Sequence, residues 1–313
     1  MIGDVKMNGV NKDLIPRIRD YEYERVCGSI AGTTYPEEYE IPRENTGTLK
    51  NQGNIGACVA ETCVQIAEEW YKRQFGIQEE HSEGYFYGIN RNSYSTSEGM
   101  VPSSAMEFWT KNGSIPKKKF DILIEMPEMK KILEKYPELQ EEAKKYKLKG
   151  FTRLRTLGSS TKDMQIKDAL TKYQYGLVAI SPAGFTGGSH CIQLTGWNDK
   201  TNKYKFKNSW GKNYCDNGFS EIDKSKISEV YLPLFEDVVL PFTDVKETDW
   251  FYKSIKNMYF SGIAQGVSET LFDPNAPLTR AQGFALADRI LKEVDDRFAT
   301  LSKILEDKKE YSN

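Results

Sequence analysis

The spacing of apolar residues changes partway along the chain, and that change limits the folds open to it. Between Ala57 and Gln74 the residues Val59, Cys63, Ile66, Ala67 and Trp70 recur every three or four positions, the stripe of a helix with one face on a core. Gly76 closes that segment. A second helix, over Glu107 to Lys111, stops at Asn112-Gly113. The lysine- and glutamate-rich stretch Met126 to Lys149 reads as a surface helix. Beyond it the pattern shortens. Residues 177–181, 191–195 and 203–207 are brief runs of β-formers, separated by Gly187-Gly188 and by Asn198-Asp199-Lys200. They read as three antiparallel strands. Helices first and a sheet second is an α+β order.

Bulk properties remove several function classes. The 313 residues suit one large or two modest domains. With 43 basic and 45 acidic side chains the formal net charge is −2, which argues against a nucleic-acid binder. No run of about 18 apolar residues is present, so no membrane-spanning helix is expected. Met1 to Pro16 is polar and lacks a secretory apolar stretch, so as given the chain is expected in the cytoplasm. Five cysteines, an odd number without a close pair, are expected to be reduced, and no motif calls for a metal or cofactor.

Four segments are expected: an extended arm over 1–45, a main domain over 46–238, a small helical module over 239–294 and a charged tail over 295–313. Pro233 and Pro241 flank the boundary. In the module, Asp249 to Met258 and Thr279 to Val294 read as helices, with Thr279 as N-cap.

Cys58 follows a Gly-containing loop and opens the first helix. Unpaired N–H groups and the helix dipole favour a thiolate there. Gln52 lies six residues earlier, placed to donate to an oxyanion. Only two histidines are available as a base. His190 heads a strand after a Gly-Gly-Ser turn, and Asn208 ends the next strand, where it can orient the imidazole. His81, among Glu79, Glu80, Ser82 and Glu83, reads as a solvated loop residue without a role.

Three segments in this order resemble papain-like cysteine peptidases: Asn51-Gln-Gly-Asn-Ile-Gly-Ala-Cys-Val-Ala60, Ser189-His-Cys-Ile-Gln-Leu-Thr-Gly-Trp197, and Phe206-Lys-Asn-Ser-Trp-Gly211 running on to Asn217-Gly-Phe219. The resemblance covers about residues 40–225. It implies a two-part fold, a helical left side and an antiparallel right side, and an endopeptidase working through an acyl-enzyme. Cys58 would be the nucleophile and His190 its imidazolium partner. Asn208 would orient His190, and Trp210 would shield that contact. Gln52 and the Cys58 N–H would bind the oxyanion. Gly99 and Glu98, in a segment resembling the edge of the substrate cleft, would face the peptide with Ser189 and Trp210. Departures exist: Ile55 stands where secreted members carry a disulfide cysteine, Val59 replaces an aromatic, and Cys191 and Cys215 are expected as packed thiols. The 57 residues before Cys58 leave little room for an inhibitory pro-region, so no zymogen is expected, with a self-blocking arm as the alternative.

Phe242-Thr-Asp-Val245, Trp250, Ser261-Gly-Ile-Ala-Gln-Gly266, Phe272-Asp-Pro274 and Leu278-Thr-Arg-Ala-Gln282 resemble a single S-layer homology repeat, a helical unit that binds cell-wall polysaccharide. Over 241–292 this implies wall-polymer contacts at Arg280 and Trp250, and a route to the wall or the extracellular space. Two alternatives stand beside the peptidase reading. One is a papain-fold acyl or amide transferase, the other a wall-polymer-binding protein in which the peptidase domain is secondary.

Overall fold

The computed structural model describes residues 22–76, 78–90, 99–121, 134, 136–155, 161–185, 188–235, 240–260, 263–292 and 294–295. Its helices are α1 (Tyr23–Cys27), α2 (Cys58–Phe75), α3 (Glu83–Ile89), α4 (Pro102–Asn112), α5 (Glu138–Ala143), α6 (Lys162–Tyr173), α7 (Tyr252–Phe260) and α8 (280–292). Its strands are β1 (Glu38–Glu40), β2 (Gly150–Arg153), β3 (Leu177–Phe185), β4 (Gly188–Asn198), β5 (Lys203–Lys207), β6 (Phe219–Asp223) and β7 (Glu229–Leu234). The chain forms two units. One is Ile30–Asp237; in the other the segment ending at Ser29 joins the chain from Val238 onward.

In the first unit the periodic stripe becomes α2. Val59, Cys63, Ile66 and Ala67 are buried, α2 packs on β3 and β4 as well as on α3, and Trp70 stacks on Phe235 at 4.7 Å. Gly76 ends α2 in the left-handed region, φ 69°, which costs a glycine nothing. Gly113 ends α4 where a Cβ would lie 1.8 Å from the Ala143 carbonyl oxygen, so no other residue fits. Of the helix expected over 126–149, residues Glu138–Ala143 are helical and Lys144–Tyr146 form a 3-10 turn. Residues 126–133 and 135 lie outside the described residues.

The expected three strands are the centre of a larger, seven-stranded antiparallel sheet in the order β2-β7-β3-β4-β5-β6, with β1 on β4. Phe219–Asp223 carries two acidic residues in five and Glu229–Leu234 contains Pro233, so neither read as a strand alone. Both are recruited by ready-made edges, β6 by β5 and β7 by β3. The β3–β4 register sets Ser181 opposite His190, and the β4–β5 register ends with Gln193 opposite Lys207. Residues 190 and 208 thereby reach the same end of the sheet.

In the second unit, Thr279 accepts the Gln282 N–H at 3.2 Å while the Gln282 side chain accepts the Thr279 N–H at 2.8 Å, a reciprocal box that starts α8. Asp244 accepts the N–H groups of Phe272 at 2.9 Å and Asp273 at 2.7 Å, and these bonds hold its carboxyl below the usual range. The span read as an extended arm is partly helical. Its α1 belongs to this unit, where Arg25 donates to the Ala264 carbonyl at 3.0 Å and covers the Tyr259 ring at 4.8 Å. A five-residue helix is too short to carry a pattern in sequence, and tertiary contacts supply its stability.

Candidate active site

Two backbone segments cross beside the start of α2. The Gln52 N–H donates to the Ser209 carbonyl at 2.9 Å, and the Gly211 N–H donates to the Lys50 carbonyl at 2.9 Å. This bridge sets Gln52 beside the Asn208–Trp210 turn. Ser209 then donates its hydroxyl to Gln52 Oε1 at 2.7 Å, and Gln52 Nε2 donates one N–H to the Ile55 carbonyl at 2.9 Å. The amide has two N–H groups, so the second is left to point elsewhere. Ser209 was not singled out from the sequence; its place next to Asn208 was the available signal.

His190 and Asn208 are buried, at 1 % and 0 % exposure, with His190 Nε2 and Asn208 Oδ1 2.7 Å apart. A carboxamide oxygen only accepts, so Nε2 carries the proton and Nδ1 is the nitrogen free to act as a base. The Ser209 N–H also donates to Asn208 Oδ1, at 2.8 Å, which locks the amide. Aromatic rings enclose the pair. Trp210 lies 4.7 Å from the imidazole centroid and Phe185 4.8 Å, and Tyr214 packs on Trp210 at 4.9 Å. Phe185 and Tyr214 were also missed, because only the β3–β4 hairpin and the 211–214 turn bring them there.

Cys58 is the first residue of α2, and its N-cap, Ala57, offers no side-chain acceptor. The first-turn N–H groups are therefore not capped by that residue. The sulfur receives backbone hydrogen bonds from Cys191, Val59 and its own N–H. Cys191 follows His190 on β4, so this contact ties the thiol to the histidine strand. Complete burial pushes the Cys58 thiol up to about 12, outweighing those N–H groups, and burial pushes His190 down to about 4 despite Asn208.

Beneath the site α2 carries buried charge. Glu68 accepts from Thr48 N–H at 2.7 Å and from His81 N–H at 2.9 Å, and pairs with Lys50 at 2.8 Å. Glu69 accepts from Gly47 and Gly176 N–H groups at 3.2 and 2.7 Å. Lys207, also buried, donates to the Gly47 carbonyl, and desolvation lowers it to about 8.

The other expected residues fall as follows. Gly99 is buried at φ 98°, its N–H donating to the Tyr87 hydroxyl at 3.2 Å, and Ser189 is half-buried beside His190. Glu98 lies outside the described residues. Trp250, 91 % exposed, and Arg280, also exposed, are in the second unit. His81 is not solvated: it is 1 % exposed, bonded through Nδ1 to Ser114 Oγ at 2.9 Å and set edge-on to Tyr146. The acidic neighbours that suggested solvent pair with lysines, Glu79 with Lys118 and Glu83 with Lys50 and Lys117, and the ring turns in. Cys191 is packed as expected, whereas Cys215 is exposed, at φ 41° in a turn. Among the described residues no group of His, Cys, Asp or Glu side chains could hold a metal ion, and no helix is long and apolar enough to cross a membrane.

The family model described as papain family cysteine protease matches residues 35–232, and that of the S-layer homology domain matches residues 241–282. Among solved structures, the chain is similar to xylellain, a cysteine protease from Xylella fastidiosa, at 15 % identity and a TM-score of 0.56, over 74 % of this chain and 97 % of that one. It is also similar to digestive procathepsin L2 from the larval midgut of Tenebrio molitor, at 18 % identity and a TM-score of 0.51, over 75 % and 76 %. A third is the ragweed pollen allergen Amb a 11 in its proform, at 16 % identity and a TM-score of 0.50, over 70 % and 76 %. At these identities the likeness speaks for the fold. No curated protein matches the chain significantly.

Proposed function

The chain belongs to the papain family of cysteine proteases, and from that premise we propose that Cys58, His190, Asn208 and Gln52 cleave peptide bonds through an acyl-enzyme. The observation that carries this reading is the buried 2.7 Å contact between His190 Nε2 and Asn208 Oδ1, which leaves Nδ1 as the only basic nitrogen of a strand whose next residue touches the Cys58 sulfur.

The Cys58 proton passes to His190 Nδ1, producing two opposite charges side by side. In a dry site such a pair holds together better than either charge alone. The thiolate attacks the peptide carbonyl. The oxyanion takes the second N–H of Gln52 Nε2 and the backbone N–H of Cys58. His190 then protonates the departing amine, and water, deprotonated by the same ring, hydrolyses the thioester. Trp210 and Phe185 keep water from the His190–Asn208 bond. Gly99, with no side chain, would let the substrate backbone lie alongside it, with Ser189 and Glu98 at the same cleft.

The S-layer homology match speaks for association with the cell surface, in place of the cytoplasmic expectation. In our reading residues 46–238 are the peptidase domain and 239–294 a module that holds it at wall polysaccharide through exposed Trp250 and Arg280. Peptide or protein is the substrate.

A panel of fluorogenic peptides tests the chemistry. Wild type cleaves, Cys58→Ala does not, and Asn208→Ala loses about a hundredfold in kcat. Failure of wild type on every peptide, together with failure of a thiol-directed epoxide to label Cys58, refutes the reading. Retention of the full chain on purified cell walls should fall in Trp250→Ala and Arg280→Ala; equal retention removes the wall contacts.

A further inference from the structure

One buried group on α2 has no part in the chemistry above. Glu61 sits one helical turn beyond Cys58 and is 1 % exposed. Residues three apart on a helix share a face, with Cβ atoms about 5–6 Å apart. Its Oε2 has no hydrogen-bond partner. The cations that face it are engaged elsewhere: Lys50 pairs with Glu68 at 2.8 Å and Glu83 at 3.1 Å, and Lys117 pairs with Glu83 at 3.1 Å. Two carboxylates also face it, Glu83 from α3 and Glu68 from its own helix. Around the sulfur the other titratable groups are the buried thiols Cys63 and Cys191, and His190 on the same strand as Cys191.

We propose that Glu61 is a positioning residue acting through Cys58: with its proton on, the carboxyl leaves the thiolate unopposed, and with its proton off it puts a buried negative charge one turn from the sulfur. Burial first and Glu83 second push the Glu61 carboxyl up to about 8, so the change falls just above neutrality. The ionised carboxylate in turn raises the Cys58 thiol. The acidic side chain thus sets an alkaline limit on the nucleophile. This inference rests on Cys58 being the reactive thiol, but its test does not need proteolysis.

The experiment is the rate of iodoacetamide alkylation at Cys58, located by peptide mass mapping on the full chain, from pH 6 to 9.5 in wild type and E61Q. The ratio of E61Q to wild type should be near one at pH 6 and rise through pH 8. At pH 9.5 it should reach roughly ten- to fiftyfold, the effect of one charge a helical turn away at an effective dielectric of about 20. Lys207, lowered to about 8, titrates in the same range, and the ratio cancels it. A ratio that stays constant across pH overturns the proposal, because a packing change would scale all rates alike. Should E61Q fail to fold, E83Q serves instead: removing the neighbouring negative charge moves the bend in the alkylation profile to lower pH, and an unmoved bend refutes the idea. A bend present without peptide cleavage would sink the peptidase mechanism and leave Glu61's role standing; cleavage without a bend would do the reverse.

Discussion

Replacing Glu68 by alanine should detach the segment around Thr48 from α2. Glu68 is fully buried and accepts from the Thr48 N–H at 2.7 Å, the Thr48 hydroxyl at 2.5 Å and the His81 N–H at 2.9 Å. It also pairs with Lys50 at 2.8 Å. Truncation leaves the buried His81 N–H without an acceptor, which costs about 1–3 kcal/mol. Lys50 keeps Glu83 at 3.1 Å, so its loss is smaller than the about 3–5 kcal/mol of a fully orphaned buried charge. With the Thr48 bonds included, the sum is about 4 kcal/mol, a large share of the roughly 5–15 kcal/mol that holds a domain folded. In a domain of this size Tm should fall by about 8–16 °C. Urea unfolding at pH 7, followed by the fluorescence of buried Trp109 and Trp197, reads the loss. The double variant Lys50→Met/Glu68→Leu should be less destabilised than the sum of its single changes by about 1–3 kcal/mol. A loss below about 1 kcal/mol for Glu68→Ala, or strict additivity in the double variant, would refute the reasoning.

Two further outcomes follow from burial and packing. Burial holds the His81 imidazole down to about 3, below the 6.5 of an exposed ring, so the unfolded chain binds the extra proton and stability falls as pH drops from 6.5. Between pH 6.5 and 4.5 this amounts to about 2.3 kcal/mol, and His81→Gln should remove it; an unchanged pH slope in urea titrations contradicts the assignment. Arg25→Ala should weaken the second unit by about 1–2 kcal/mol, through loss of the Ala264 carbonyl bond and the Tyr259 ring contact. Hydrogen exchange of the α7 amides (Tyr252–Phe260) measures it, and unchanged protection would show that α1 is not holding that unit.

The local chemistry of the chain was readable without coordinates. Helix α2 carries its own periodicity, its terminator Gly76 and a cysteine at its first position, and β3, β4 and β5 carry their own β-formers and turns. Those signals lie within a few residues of one another, so the sequence alone determined the helix-then-sheet order and which side chains could act as nucleophile, base and orienter. The rest depends on distant neighbours. Only the fold decided that β6 and β7 are strands, because the edges of β5 and β3 recruit them. Only the fold turned His81 inward onto Ser114 and moved α1 into the C-terminal unit. The complete burial of Cys58 was likewise out of reach. A helix start favours a thiolate while burial pushes the thiol up, and burial is a property of everything packed around an atom rather than of its place in the chain.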